Sequence, residues 1–97
     1  MERVFWVYIL ANRKYGTLYI GQTSHLANRI AQHRASSAPS FTGTYGVFRL
    51  VHVEQYATRN EARDRERRLK RWARPWKIQL IEADNPEWLD LFERYGA

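Results

Sequence analysis

From Val4 to Leu10 every residue is apolar or aromatic, and this run reads as a buried strand. Asn12-Arg13-Lys14-Tyr15-Gly16 has turn chemistry, and Thr17 to Gly21 is again rich in β-formers. The two runs predict an antiparallel hairpin. Thr23 or Ser24 can cap a helix from about His25 to Arg34, with Leu26 and Ile30 marking its apolar side. Ala35 to Gly46 reads as an irregular loop, and Phe48 to Glu54 alternates as a third strand. Thr58 caps a long polar helix reaching Ala73. Pro75 interrupts it and opens a short helix, Trp76 to Ala83. Asn85-Pro86-Glu87-Trp88 has the form of another helix start, which predicts a final helix to about Tyr95. The order is ββαβααα. It predicts an α+β fold, a small three-stranded antiparallel sheet flanked by helices, in one domain over residues 1–97.

Charge changes this picture. The 97 residues carry a net charge of +6, and Arg59 to Lys77 holds nine basic and three acidic residues, so the excess sits on one helix and its exit. Clustered positive charge is the footprint of a polyanion binder, and Arg59, Arg63, Arg67, Lys70, Arg71 and Arg74 are its candidate contacts with nucleic acid. A solvated helix face with pairs such as Glu61–Arg65 is the plainer alternative, but three acids do not offset nine bases. There is no cysteine, hence no disulfide framework and no thiolate metal site. No apolar run approaches the roughly 18–20 residues of a membrane span, and the strand pattern begins too early to leave room for a signal peptide. The expectation is a cytoplasmic protein without a membrane partner. There is no P-loop or dinucleotide fingerprint, and His25, His33 and His52 lack zinc spacing. His52 reads as structural or exposed.

Within the basic helix, Glu66 is the residue of most interest. At about 100° per residue it lies in line with Ala62, Leu69 and Ala73, the side predicted to face the core. A carboxylate there needs a partner, either an arginine in a structural ion pair or a cation. On the first helix, Arg29 and His33 stack one turn apart. An arginine can stabilise charge on a phosphoryl group, and a histidine one turn away can move a proton. Tyr8 and Tyr19 lie on adjacent strands, where packing alone can account for them. Trp6, Trp72, Trp76 and Trp88 are expected to fill the core between the sheet and the C-terminal helices.

Taken together these residues resemble the GIY-YIG nuclease superfamily, in its small single-domain bacterial branch. Val7-Tyr8-Ile9 and Tyr19-Ile20-Gly21 stand where the paired motifs fall, with Val-Tyr-Ile in place of Gly-Ile-Tyr. Gln22 to His33 is similar to the family's helix with its Arg and His. Glu66 to Trp72, Lys77 to Ile81 and Asn85 to Leu91 resemble the downstream blocks. The resemblance implies a metal-dependent endonuclease acting on nucleic acid, DNA more than RNA. Glu66 would hold one divalent cation, Mg²⁺ or Mn²⁺. Arg29 would stabilise the phosphorane, and Tyr8 would act as general base or position the water. Tyr19 and His33 would support the site and relay protons. Tyr45 resembles a cleft-lining position, and can equally be a loop aromatic at the core edge. Asn85 is a candidate by order alone, and its role as a helix cap explains it fully. The competing reading is a nucleic-acid-binding module of the same fold with little cleavage of its own. A protein partner could supply specificity, and oligomeric state is not legible.

Overall fold

The computed structural model describes residues 3–35 and 46–96. The elements run β1 (Phe5–Ala11), β2 (Leu18–Thr23), α1 (Leu26–Ala35), β3 (Arg49–Tyr56), α2 (Arg59–Arg71), α3 (Arg74–Asp84) and α4 (Phe92–Gly96). The sheet is three-stranded and antiparallel in the order β2-β1-β3. The central place of β1 explains its unbroken apolar run: it is covered on both faces and has a neighbour on each side. Leu10 and Ala11 are fully buried, as are Val7 and Ile9. Alternation on β3 places Leu50 and Val51 in opposite halves of the core, and a register shift opposite Ile9 and Leu10 leaves Val51 as the extra, unpaired residue.

Each face of the sheet carries its own helical layer. On one, Ala62 and Leu69 of α2 and Ile81 of α3 meet Val7, Ile9 and Val51, with Trp88 beneath them. On the other, Leu26 and Ile30 of α1 meet Tyr8, Leu10 and Leu50, joined by Leu91 and Phe92. The α+β architecture predicted from the pattern is the one observed. Thr58 caps α2 as expected, and its Oγ1 accepts from the Glu61 amide at 3.2 Å. Pro75 lies in the first turn of α3, where its missing N–H costs nothing.

The last predicted helix is a correction. Residues 85–91 are not helical, and α4 starts only at Phe92. Asn85 instead closes α3, and its side chain is spent on tertiary bonds. Its amide donates to Val51 O at 3.1 Å and Leu89 O at 2.8 Å, while its carbonyl accepts from Leu89 N at 2.9 Å. Trp88 adopts φ 56°, a left-handed conformation that costs on the order of 1–2 kcal/mol. Burying the indole offsets it: Trp88 is fully enclosed and its Nε1 donates to Glu82 at 2.9 Å. Only Trp88 of the tryptophans is fully buried, and Trp76 is 58% exposed, contrary to the expectation that all four fill the core.

Candidate active site

The face of the sheet under α1 gathers the predicted tyrosines and the histidine. Alternation on β1 turns Tyr8 toward α1, directly opposite Gly21 of β2 and Val53 of β3. Gly21 makes room for it. A Cβ at that position would stand 2.5 Å from Tyr8 Cζ, closer than any side chain allows. The Tyr8 hydroxyl reaches His33 Nε2 at 3.2 Å. Tyr19, two residues before Gly21 on the same face, brings its ring within 6.4 Å of Tyr8 and 5.3 Å of His33. Arg29 sits one turn before His33, exposed to solvent.

The electrostatics bind these groups together. Burial pushes the Tyr8 phenol well above its usual value, the nearby Tyr19 and Glu66 push it further, and the Arg29 charge opposes them. His33 is held below the ordinary imidazole value, first by burial and then by Arg29. The pair at rest is therefore a protonated phenol facing a neutral imidazole, able to donate and to accept one proton.

Glu66 arrives from the other layer. Helix α2 packs on β1 and β2, and the Glu66 side chain is 18% exposed. It is thus half-buried at the rim, while Ala62 and Leu69 on either side of it enter the core and Ala73 lies exposed beyond the helix. The only ion pair it makes among the described residues is with Lys70, 3.7 Å away and one turn on. No three His, Asp or Glu side chains gather to share a metal among the described residues. A lone, partly exposed carboxylate fits a hard cation that keeps water and phosphate as its other ligands, and does not fit zinc.

The family model of the GIY-YIG catalytic domain matches residues 4–79. This chain belongs to the GIY-YIG family. That places it in a nuclease superfamily. Among relatives, a UPF0213 protein of Oceanobacillus iheyensis is 32% identical over 87 residues, spanning 90% of this chain and 100% of its own length. One from Clostridium perfringens is 36% identical over 78 residues, spanning 80% of this chain and 83% of its own. The solution NMR structure of a UPF0213 protein from Bacillus halodurans aligns with a TM-score of 0.57 at 28% identity, covering 97% of this GIY-YIG chain and 99% of that one.

The remaining predicted contacts are scattered over α2 and its exit. Arg63, Arg67, Lys70 and Arg71 are exposed on the helix, and Arg59 lies over the Phe5 ring at 5.5 Å. Arg74 donates to the carbonyls of Tyr15 and Gly16, both at 2.6 Å, so it ties the β1–β2 turn to α3. Tyr45 lies outside the described residues. Asn85 lies in the opposite layer, bonded to β3, and does not join the Tyr8 cluster.

Sequence reasoning missed one cluster. Glu54 accepts from His52 Nε2 at 2.8 Å, Tyr56 Oη at 2.7 Å, and Arg65 through Nε at 2.8 Å and Nη2 at 3.1 Å. Arg65 therefore pairs with Glu54 on β3, not with Glu61. The alternation His52, Glu54, Tyr56 puts all three on the face toward α2, a signal that was present in the strand pattern.

Proposed function

We propose that this chain is a divalent-metal-dependent endonuclease that hydrolyses phosphodiester bonds in nucleic acid, DNA in preference to RNA. The observation that carries this reading is the 3.2 Å contact of Tyr8 with a neutral His33, within the fields of Arg29 and Glu66. An attacking water forms the new P–O bond as the bond to the leaving oxygen breaks. Its proton goes to the Tyr8 oxygen while the phenol proton passes to His33 Nε2, so burial of Tyr8 does not require a standing phenolate. Arg29 faces solvent with its guanidinium available to the charged phosphoryl oxygens. Tyr19 packs against both Tyr8 and His33 and holds them in place. Glu66 would hold Mg²⁺ or Mn²⁺, which when bound polarises the phosphate and steadies the leaving group. The exposed arginines of α2 supply affinity for the backbone.

The test is cleavage of duplex, flapped, branched and single-stranded DNA and of RNA, with Mg²⁺ or Mn²⁺, beside Glu66→Ala and a metal-free control. Cutting that disappears in both controls supports the reading. Binding to every substrate without cutting would replace it with that of a nucleic-acid-binding module or of a nuclease awaiting a partner. Cutting that survives Glu66→Ala would place the active site elsewhere.

A further inference from the structure

Two unlike grooves each include one residue that acts on the Tyr8–His33 pair, Tyr19 in one and Arg29 in the other. The first, about 360 Å³, is lined by Leu18, Tyr19 and Ile20 of the β2 edge and by Lys70 and Lys77. The second, about 280 Å³, is lined by Thr23 at the end of β2, His25 just before α1, and Asn28, Arg29 and Gln32 of α1.

Their chemistries differ in kind. The first has an apolar floor and two ammonium groups. Lys70 Nζ is 3.7 Å from Glu66, and Lys77 Nζ donates to Lys70 O at 3.5 Å. Ammonium groups act on phosphates as point charges and carry no base code. The second holds two carboxamides, Asn28 and Gln32, one helical turn apart on the same face. Both are exposed, and no hydrogen bond ties either amide among the described residues. No carboxylate lines this groove to turn a polyanion away. A carboxamide sets an N–H donor beside a carbonyl acceptor, the complement of adenine's amino group and ring nitrogen.

We infer that a nucleic-acid strand crosses the site with its backbone on Lys70 and Lys77, and that the nucleobase flanking the scissile phosphate enters the α1 groove, where Asn28 and Gln32 select adenine. This rests on the nuclease reading for its placement beside the cut. The asymmetry of the grooves then becomes an asymmetry of the substrate: base preference on one side of the cut, none on the other.

Random-sequence oligonucleotides, single-stranded and duplex, are cut and the new ends sequenced. Wild type is expected to enrich adenine by about tenfold on one side of the cut only, the scale of one amide–adenine pair. Asn28→Ala/Gln32→Ala should abolish the enrichment. Lys70→Gln/Lys77→Gln should keep it while weakening binding and making log K against log salt shallower by about 1–2. No enrichment, enrichment of another base, or enrichment that survives the amide double variant would overturn the inference and leave the nuclease reading standing. Binding separates the two readings if nothing is cut. Glu66→Ala protein, checked for folding by circular dichroism, is titrated with adenine-rich and adenine-free oligonucleotides. Tighter adenine-rich binding that is lost with Asn28→Ala/Gln32→Ala supports the amide groove even where the nuclease reading fails. Equal binding of the two sequences overturns it.

Discussion

At the scale of single residues, the site depends on a missing side chain. Tyr8 and Gly21 are cross-strand partners, and the tyrosine ring occupies the space a Cβ would need. Gly21→Ala should therefore push Tyr8 off His33, with turnover falling about 100-fold or more, the usual weight of general acid–base help. The fold should survive, and the near-ultraviolet dichroism of the tyrosines should change. Tyr8→Phe is the cleaner comparison: the ring and its packing stay, the proton path is lost, and a similar drop in rate is expected with the melting temperature little changed. The pH profile follows from His33. On the proposed mechanism the proton acceptor is the neutral His33 imidazole, whose pKa is depressed by burial and Arg29. Activity should rise with pH and level off already below the ordinary histidine value, and His33→Gln should flatten that limb. These residues were legible in the sequence as types at the right spacing. Their contact was not, because Tyr8 and His33 are 25 positions apart and meet only after α1 folds onto the sheet.

At the scale of elements, α2 is the part that must be set correctly, since it brings Glu66 to the rim from the opposite layer. Its buried residues are only Ala62 and Leu69, a narrow stripe on which a helix can roll. The forked Arg65–Glu54 contact on β3 removes that freedom. Glu54 is held down at about 2, despite burial that would raise it, by hydrogen bonds from His52, Arg65 and Tyr56. A carboxylate with a folded value below its unfolded one stabilises the protein above the unfolded value, and that contribution disappears as pH falls through the folded one. Stability should thus decline between about pH 4.5 and 2, by an amount on the order of 3 kcal/mol. Urea unfolding across that range checks it, and Glu54→Gln should remove most of the acid-sensitive part. The helices themselves were readable from caps and periodicity. The long final helix was over-read because Asn85-Pro86 is a good local start signal, and the burial of Trp88 and the bonds of Asn85 to β3 outweigh it.

At the scale of the whole molecule, the charge is one-sided. The excess of +6 lies between Arg59 and Lys77, and the exposed arginines of α2 face solvent without carboxylate partners sufficient to neutralise them. Affinity for nucleic acid should fall steeply with salt. Replacing Arg63 and Arg67 by Gln should make the slope of log K against log salt shallower by about 0.9 per contact on duplex and about 0.7 on single strands. Titration at several salt concentrations measures this, and an unchanged slope would mean that the helix points away from the bound strand. Arg65 and Arg74 belong to a different class. One is spent on Glu54 and the other on two backbone carbonyls, so their loss should weaken the fold before it weakens binding.

By itself the sequence determined the layered α+β order, the buried central strand, the Thr58 cap of α2, the proline-led start of α3, the basic helix and the residue types of the candidate site. These follow from local pattern, since period, propensity and charge density act over a few residues. Only the tertiary structure decided that Gly21 seats Tyr8, that Glu66 lies at a rim rather than in the core, that Arg65 is claimed by Glu54, and that residues 85–91 turn instead of coiling. Each of these is a choice between partners distant in the chain, and close packing across the two faces of the sheet is what makes it.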